Sequence, residues 1–298
     1  MKEPILTVIC LTYNHGKYIR KALEGFVNQK TKYDYKVLVH DDASTDNTPV
    51  IIQEFADKYP DIIVPILQKE NQYSKGVAIT NTFILPRLEG KYVAICEGDD
   101  YWCDENKLQT QIDYLENNPD CSFCGHNTEV IDVEGNCVKK HQNKCTKDCD
   151  YSVQDIIENG GGALIHTSAF VYRKEYQFNF PKEFRLKRVS DYPLSIYLAT
   201  CGRVHYFGKV MSKYRTMTPG SWTVRTMTGK KKANEFVKSA LEWVDRVNRY
   251  TGYKYNKSFC FAKKRFKFNS ISKYKKVIYA IFNSDYRKLL KEYLKNKE

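Results

Sequence analysis

A chain of 298 residues with 42% hydrophobic and 14% aromatic residues can bury one large core or two modest ones, which excludes an intrinsically disordered chain. No apolar run approaches the ~20 residues needed to span a bilayer as a helix. The first residues have no signal-peptide layout, so an intracellular protein, free or at a membrane surface, is expected. The net charge of +13 is unevenly placed: from Arg225 onward 21 Lys and Arg face 6 Asp and Glu, whereas residues 1–224 hold 27 against 29. An anionic partner would therefore meet the last quarter of the chain.

In chain order, the apolar run Ile5 to Cys10 predicts a strand, and Leu11 to Gly16 is a turn-rich break. Ile19, Leu23, Phe26 and Val27 recur at helical spacing within Tyr18 to Gln29. Tyr35 to His40 is a second strand, and Thr48-Pro49 starts a helix to Lys58, with Thr as cap and Pro in the first turn. Ile62 to Leu67 reads as a strand, Val77 to Leu88 as a helix, Tyr92 to Cys96 as a strand and Glu105 to Asn117 as a helix. This alternation predicts βαβ units and a mainly parallel sheet flanked by helices. Strand-like segments at Cys121 to Val133, Ala163 to Tyr172 and Lys209 to Tyr214, mixed with helices at Val153 to Asn159 and Tyr192 to Cys201, would complete the same sheet. After Trp222 the pattern is helical and basic. The expected organisation is an α/β domain over 1–224, with halves 1–120 and 121–224, and a basic helical extension over 225–298.

Five of the ten cysteines lie between Cys121 and Cys149, with His126 and His141 nearby. That set could hold zinc. However, Cys121 and Cys124 fall within a predicted strand and would point to opposite faces, so reduced, unconnected thiols are the expectation.

Three polar clusters follow the first, second and fourth strands, and so would share one edge of a parallel sheet, where α/β proteins bind ligands. The first holds Tyr13 and Asn14, a flat ring and a polar edge suited to a base. The second holds Asp41 and Asp42, either able to accept from the imide N–H of uracil. The third holds the adjacent carboxylates Asp99 and Asp100. Alone, that pair is compatible with a polar turn or a helix cap. Beside two other loops it describes a nucleoside diphosphate site in which a divalent cation, Mn²⁺ or Mg²⁺, offsets the like charges.

The segments Thr7 to Asn14, Val37 to Thr48 and Glu97-Gly98-Asp99-Asp100 together resemble family 2 glycosyltransferases of the GT-A fold over residues 4–224. The stretch Cys96 to Trp102, with Tyr214-Arg215 and Gly220-Ser221-Trp222, resembles the bacterial capsule and cell-surface polysaccharide branch. The resemblance implies a Rossmann-like mixed sheet and inverting transfer of a sugar, as in a hexosyltransferase, from a nucleotide donor, UDP-linked by expectation, to a lipid-linked glycan acceptor. It implies that Tyr13 and Asp42 hold the base, Asp99 the ribose or sugar, and Asp100 the metal. It also implies a general base at a helix start, matched here by Asp191 in Ser190-Asp191-Tyr192-Pro193. Relatives often carry a His two residues after the Tyr-Arg pair, where this chain has Met217, a poor ligand for hard cations.

Arg215 and Lys75 are candidates for the diphosphate, and Trp102, His166 and Trp222 for the acceptor; for each a structural role is the competing reading. The basic tail, with Phe259, Phe261, Phe266, Phe268, Tyr274, Tyr279 and Phe282 among its lysines, suits either an anionic membrane surface or helices packed on one another. The first agrees with a peripheral position on the inner face of the plasma membrane. Nucleic-acid binding would rest on tail charge alone and is not expected; a catalytically idle nucleotide-sugar binder is the remaining alternative.

Overall fold

The computed structural model describes residues 3–160, 163–186, 189, 191–219, 221, 224, 230–271 and 273–295. The chain divides into two compact units: 1–152, 162–180 and 198–218 form the first, and 153–161, 181–197 and 219–298 the second. The second thus gathers two inner segments in addition to the expected 225–298 extension.

The first unit is built on a ten-stranded mixed sheet. Its strands are β1 (Leu6–Thr12), β2 (Tyr35–Asp41), β3 (Ile63–Leu67), β4 (Tyr92–Ile95), β5 (Tyr101–Trp102), β6 (Cys121–Ile131), β7 (Cys137–Lys139), β8 (Cys149–Tyr151), β9 (Val171–Arg173) and β10 (Arg203–Arg215). The order is β3-β2-β1-β4-β9-β6-β10-β5, with β7 on β6 and β8 on β10. β1 pairs in parallel with β2 from Leu6↔Tyr35 to Thr12↔Asp41, and with β4 from Leu6↔Tyr92 to Ile9↔Ile95. The chain winds outward from β1 through β2 to β3, then returns to the other side of β1 as β4. That reversal makes a switch point, and the loops after β1, β2 and β4 flank it at the carboxyl edge.

Local chemistry explains the helices. In α1 (Ile19–Val27) the buried residues are Ile19, Ala22, Leu23 and Phe26, one apolar stripe against the sheet. In α2 (Thr48–Lys58) Pro49 sits in the first turn, and Asp46 Oδ1 accepts from the Thr48 N–H at 2.9 Å. α3 (Lys107–Asn117) buries Leu108, Ile112 and Leu115. The predicted helix Val77 to Leu88 is instead a π-helical turn, Thr80–Ile84, running into a 3₁₀ turn, Leu85–Arg87. Pro86 supplies no N–H for an α-helical ladder, which accounts for the irregular winding.

Three further differences concern the second half. Of the predicted strand Ala163 to Tyr172, only Val171–Arg173 pairs; a 3₁₀ turn, Thr167–Ala169, precedes it. β10 begins at Arg203, six residues before the predicted Lys209, and carries register shifts against β6. One shift places Cys121 opposite Arg203 and Phe123 opposite Val204. This bulge resets the strand's alternation, so Cys121 and Cys124 lie in the same core cluster rather than on opposite faces. Both thiols are buried, and no group of three or more metal-ligating side chains occurs among the described residues.

One core residue is out of keeping with its surroundings. Lys107 is fully buried, its Nζ has no hydrogen-bond partner among the described residues, and it lies 4.1 Å from the centre of the Trp102 ring. Burial pushes its amine down to about 7. The unfolded chain binds this proton more tightly than the folded one, so stability should rise with pH between about 7 and the ordinary lysine value near 10.5. Lys107→Met should remove that slope and gain ~1–3 kcal/mol at neutral pH, because an unpaired buried cation gives way to an apolar chain of similar length. Urea denaturation of both proteins at two pH values checks this.

The second unit is helical. It comprises α4 (Val153–Asn159), the start of α6 (Asp191–Cys201), and α7 (Lys230–Tyr250), α8 (Asn256–Ser270), α9 (Lys273–Phe282) and α10 (Ser284–Lys295); α5 (Lys174–Phe178) belongs to the first unit. Trp243 is buried, and its indole N–H donates to the Phe184 carbonyl at 2.8 Å. Tyr192, beside it at 5.3 Å, donates its hydroxyl to the Ile157 carbonyl at 2.5 Å. Phe259, Phe261 and Phe268 are buried as well. Much of the aromatic interleaving in the basic tail is therefore core packing. No helix among the described residues is long and apolar enough to cross a membrane.

Candidate active site

The loops after β1 and β2 are laced together. Asn14 takes a left-handed conformation, φ 55°, that asparagine tolerates. Its side-chain carbonyl accepts from the Thr45 N–H at 2.8 Å, and its own N–H donates to Ser44 Oγ at 2.8 Å. The Gly16 N–H donates to Asp46 Oδ2 at 2.9 Å. Tyr13, next to these anchors, is 44% exposed and presents its ring to solvent. Asn14 thus braces the loop that displays Tyr13.

Asp41 and Asp42 are both buried. Asp41 accepts from the Ser44 N–H at 2.9 Å and from the Ser44 hydroxyl, while burial raises its carboxyl above the usual range. Asp42 accepts from the N–H groups of Gln72 and Tyr73, at 2.8 and 3.0 Å, one on each oxygen. This ties the 70–76 loop to the end of β2. Lys75, on that loop, is exposed and paired with Glu70.

The acid pair follows β4. The Gly98 N–H donates to the Leu11 carbonyl at 3.0 Å, and a Cβ at Gly98 would stand 2.8 Å from Thr12 Cβ and 2.9 Å from Ile19 Cδ1. Only glycine lets the turn approach β1 this closely. Gly98→Ala should cost ~1–3 kcal/mol by overpacking and weaken nucleotide binding, because the acid pair would shift; a thermal melt and a binding titration check the two effects.

Asp100 is 1% exposed; its Oδ1 accepts from the Arg215 N–H at 2.7 Å, and its Oδ2 stands 3.8 Å from His166 Nδ1. Asp99 Oδ2 lies 4.0 Å from His15 Nε2. Burial, and then the neighbouring Asp99 charge, push the Asp100 carboxyl well above the usual range. His166 offers no compensating charge, since burial holds its imidazole down to about 3. Its Nδ1 meets Ser168 Oγ at 2.9 Å, Ser168 Oγ meets Ser212 Oγ at 2.9 Å, and Ser212 Oγ meets Thr128 Oγ1 at 3.0 Å. A chain of side-chain contacts therefore runs from His166, beside Asp100, through Ser168 to Ser212 on β10 and Thr128 on β6.

These observations test the fit of a divalent cation. A buried acid beside a second acid suits a hard cation that takes one or two carboxylates and draws its other ligands from water and substrate phosphate. The protein contributes few ligands, and Met217 is not one that would help. It sits 59% exposed at φ 62° on the turn after β10.

Several expected site residues have other work. Trp102 is 3% exposed, packs edge-on against Phe26 at 4.8 Å and donates its indole N–H to the Ser168 carbonyl at 2.9 Å. It is a core residue with no face for an acceptor sugar. Arg215 is buried; its Nε donates to the Asp99 carbonyl at 3.1 Å, its Nη1 to the Asp132 and Val133 carbonyls at 2.8 and 3.1 Å, and its guanidinium lies 4.5 Å from the Tyr18 ring centre. It braces the acid loop from behind rather than reaching out to a diphosphate. His166 is committed to Ser168 and its ring lies tilted against Tyr214, 4.1 Å between ring centres. Trp222 lies outside the described residues. Asp191 is the first residue of α6, in the helical unit. The Arg215 brace, the His15 neighbour of Asp99 and the hydroxyl chain were not anticipated. Each depends on pairing between distant segments, and only the Tyr214-Arg215 dipeptide gave any signal.

The family model described as "Glycosyl transferase family 2" matches residues 7–178. An uncharacterized protein of Mycobacterium tuberculosis, Rv1520, is 34% identical over 218 residues, 73% of this chain and 60% of that protein, so this chain spans less than two thirds of that relative's length. An Escherichia coli protein named UDP-Glc:alpha-D-GlcNAc-diphosphoundecaprenol beta-1,3-glucosyltransferase WfgD is 27% identical, over 59% of this chain and 68% of that one. Among solved structures, S. aureus TarS 1–349 in complex with UDP-GlcNAc superposes with a TM-score of 0.60 at 20% identity, covering 82% of this chain and 66% of that one. The mannosyltransferase PcManGT of Pyrobaculum calidifontis, in complex with GDP-Man and Mn²⁺, gives 0.54 at 18% identity, over 84% and 65%. With the sheet order and the three loops at one sheet edge, these similarities establish that the chain belongs to glycosyltransferase family 2 and has the GT-A fold.

Proposed function

We propose that this protein is a metal-dependent, inverting hexosyltransferase that moves a sugar from a UDP-linked donor to a lipid-linked glycan acceptor of a cell-surface polysaccharide. The observation that carries the reading is Asp100, buried beside a second acid at the sheet edge where the loops after β1 and β2 also end. Tyr13 would stack on the base, Asp41 and Asp42 would bound the base and ribose, and Asp99 would meet the ribose or sugar. Asn14 would keep Tyr13 in place. Asp100 would hold the cation, which when bound offsets charge on the departing diphosphate. Asp191 would take the proton from the acceptor hydroxyl. The named neighbours support the donor class, since TarS is described with UDP-GlcNAc and PcManGT with GDP-Man and Mn²⁺. The E. coli relative's name supports an undecaprenol-linked acceptor.

A lipid-linked acceptor would place the enzyme on the cytoplasmic face of the membrane. Support for that comes from the helical unit, where Val277, Tyr279 and Ile281 are exposed on α9 and Arg287, Lys288, Lys291 and Lys295, with Glu292 among them, line one cleft on α10. Co-sedimentation should be strong with vesicles containing phosphatidylglycerol and weak with neutral ones; equal binding to both would remove the electrostatic basis. For the donor, a thermal-shift series of UDP-, GDP- and CDP-sugars with Mn²⁺ should show stabilisation by the UDP group. Stabilisation by none of them would overturn the proposed reaction.

A further inference from the structure

Two thiols outside the active site are placed as a pair. Cys145 Sγ, in the connection between β7 and β8, and Cys149 Sγ, at the start of β8, lie 3.7 Å apart, both partly exposed. The other eight cysteines divide into Cys10, Cys96, Cys121 and Cys124, which are buried, Cys103, Cys137 and Cys260, which are exposed, and Cys201 between.

The connection is held on every side. The Cys145 N–H donates to Asn143 Oδ1 at 3.0 Å, and the Cys145 carbonyl accepts from Asn127 Nδ2 at 3.1 Å and from the Tyr206 hydroxyl at 3.3 Å. Asp148 Oδ1 accepts from the Gly208 N–H at 2.9 Å. Cys149 itself is paired with Tyr206 in the sheet. The two sulfurs are therefore brought together by contacts to β6 and β10, not by chance approach of a free loop. A bond requires the sulfurs to close from 3.7 Å to ~2.05 Å.

A metal does not fit as well. No third His, Cys, Asp or Glu completes a ligand group around them among the described residues, and a structural zinc needs four.

We propose that Cys145 and Cys149 form a dithiol that is oxidised to an intramolecular disulfide by small disulfides of the glutathione class. Burial and the neighbouring Cys145 push the Cys149 thiol up to about 11, so Cys149 keeps its proton and Cys145 is the first nucleophile. Cys145 thiolate attacks one sulfur of the small disulfide, forming a mixed disulfide and releasing one small thiolate. Cys149 then gives up its proton and attacks the Cys145 sulfur, expelling the second small thiolate. Two protein thiols are oxidised, and one small disulfide is reduced to two thiols. The product latches the β7–β8 connection across Thr146, Lys147 and Asp148.

The test treats the full-length reduced protein with one equivalent of oxidised glutathione at pH 8, blocks remaining thiols with iodoacetamide, and maps them by mass spectrometry after trypsin. Cleavage after Lys147 leaves Cys145 and Cys149 on separate peptides. The expected result is that these two peptides are recovered joined, with both thiols lost together and before those of Cys103, Cys137 and Cys260. Dithiothreitol should restore them. The Cys149→Ser protein should instead retain glutathione on Cys145, and the melting temperature of the oxidised wild type should exceed that of the reduced form. Stable glutathione on Cys145 in the wild type, pairing of Cys145 with Cys137, or oxidation of the exposed thiols first would each overturn the proposal.

Discussion

Asp100→Ala should lower sugar transfer by roughly 10³-fold, the scale at which a charge-stabilising group is lost, while the protein keeps its fold. The carboxylate is buried and sits beside Asp99, an arrangement that costs free energy in the absence of a cation. Removing it leaves the Arg215 N–H without its 2.7 Å acceptor, a loss of about 1–3 kcal/mol. The relief of like-charge repulsion opposes that loss. Net stability without metal should therefore change little, whereas the stabilisation by Mn²⁺ with UDP should disappear. Circular dichroism and a thermal melt, set beside a radiolabelled transfer assay, separate the two effects. An unfolded Asp100→Ala protein would mean that the acid is structural.

Asp191→Asn should reduce transfer by roughly 10²–10⁴-fold, the contribution typical of a general base, with UDP affinity unchanged. Asp191 opens α6, and the residues after it are firmly packed: Tyr192 is buried with its hydroxyl on the Ile157 carbonyl, and Ser195 Oγ donates to the Tyr192 carbonyl at 2.9 Å. A carboxylate at a helix start is also favoured by the helix dipole, so a purely capping role is the alternative. The two roles differ in kinetics. A cap costs ~1 kcal/mol of stability and leaves kcat nearly intact; a base lowers kcat with little change in the melting temperature.

The fold of the first ~120 residues was legible because buried parallel strands read as unbroken apolar runs and their helices as 3.6-residue stripes. β1, β2, α1, α2 and α3 fall within a few residues of their predicted bounds. Legibility fell where local pattern ceased to decide. Thr80 to Arg87 has helical spacing, but Pro86 forces π and 3₁₀ winding. The bulge at Ser122 that carries Cys121 and Cys124 to one core depends on pairing with β10, some 80 residues away. The same holds in the site. The three loops could be found because each follows its own strand, yet Arg215 and Trp102 were open to two readings. Burial, which no single segment encodes, made one a brace and the other a core ring. In the tail, lysines with interleaved aromatics looked like one surface, but Phe259, Phe261 and Phe268 pack inward and leave Val277, Tyr279 and Ile281 outside.

The most direct measurement is a calorimetric titration of UDP into the wild-type and Asp100→Ala proteins, each with and without Mn²⁺. The acid pair as a cation-dependent diphosphate site predicts tight binding only for the wild type with Mn²⁺, and comparably weak binding in the other three cases. Equal UDP affinity with and without Mn²⁺ in the wild type, or undiminished Mn²⁺-dependent affinity in Asp100→Ala, would contradict it.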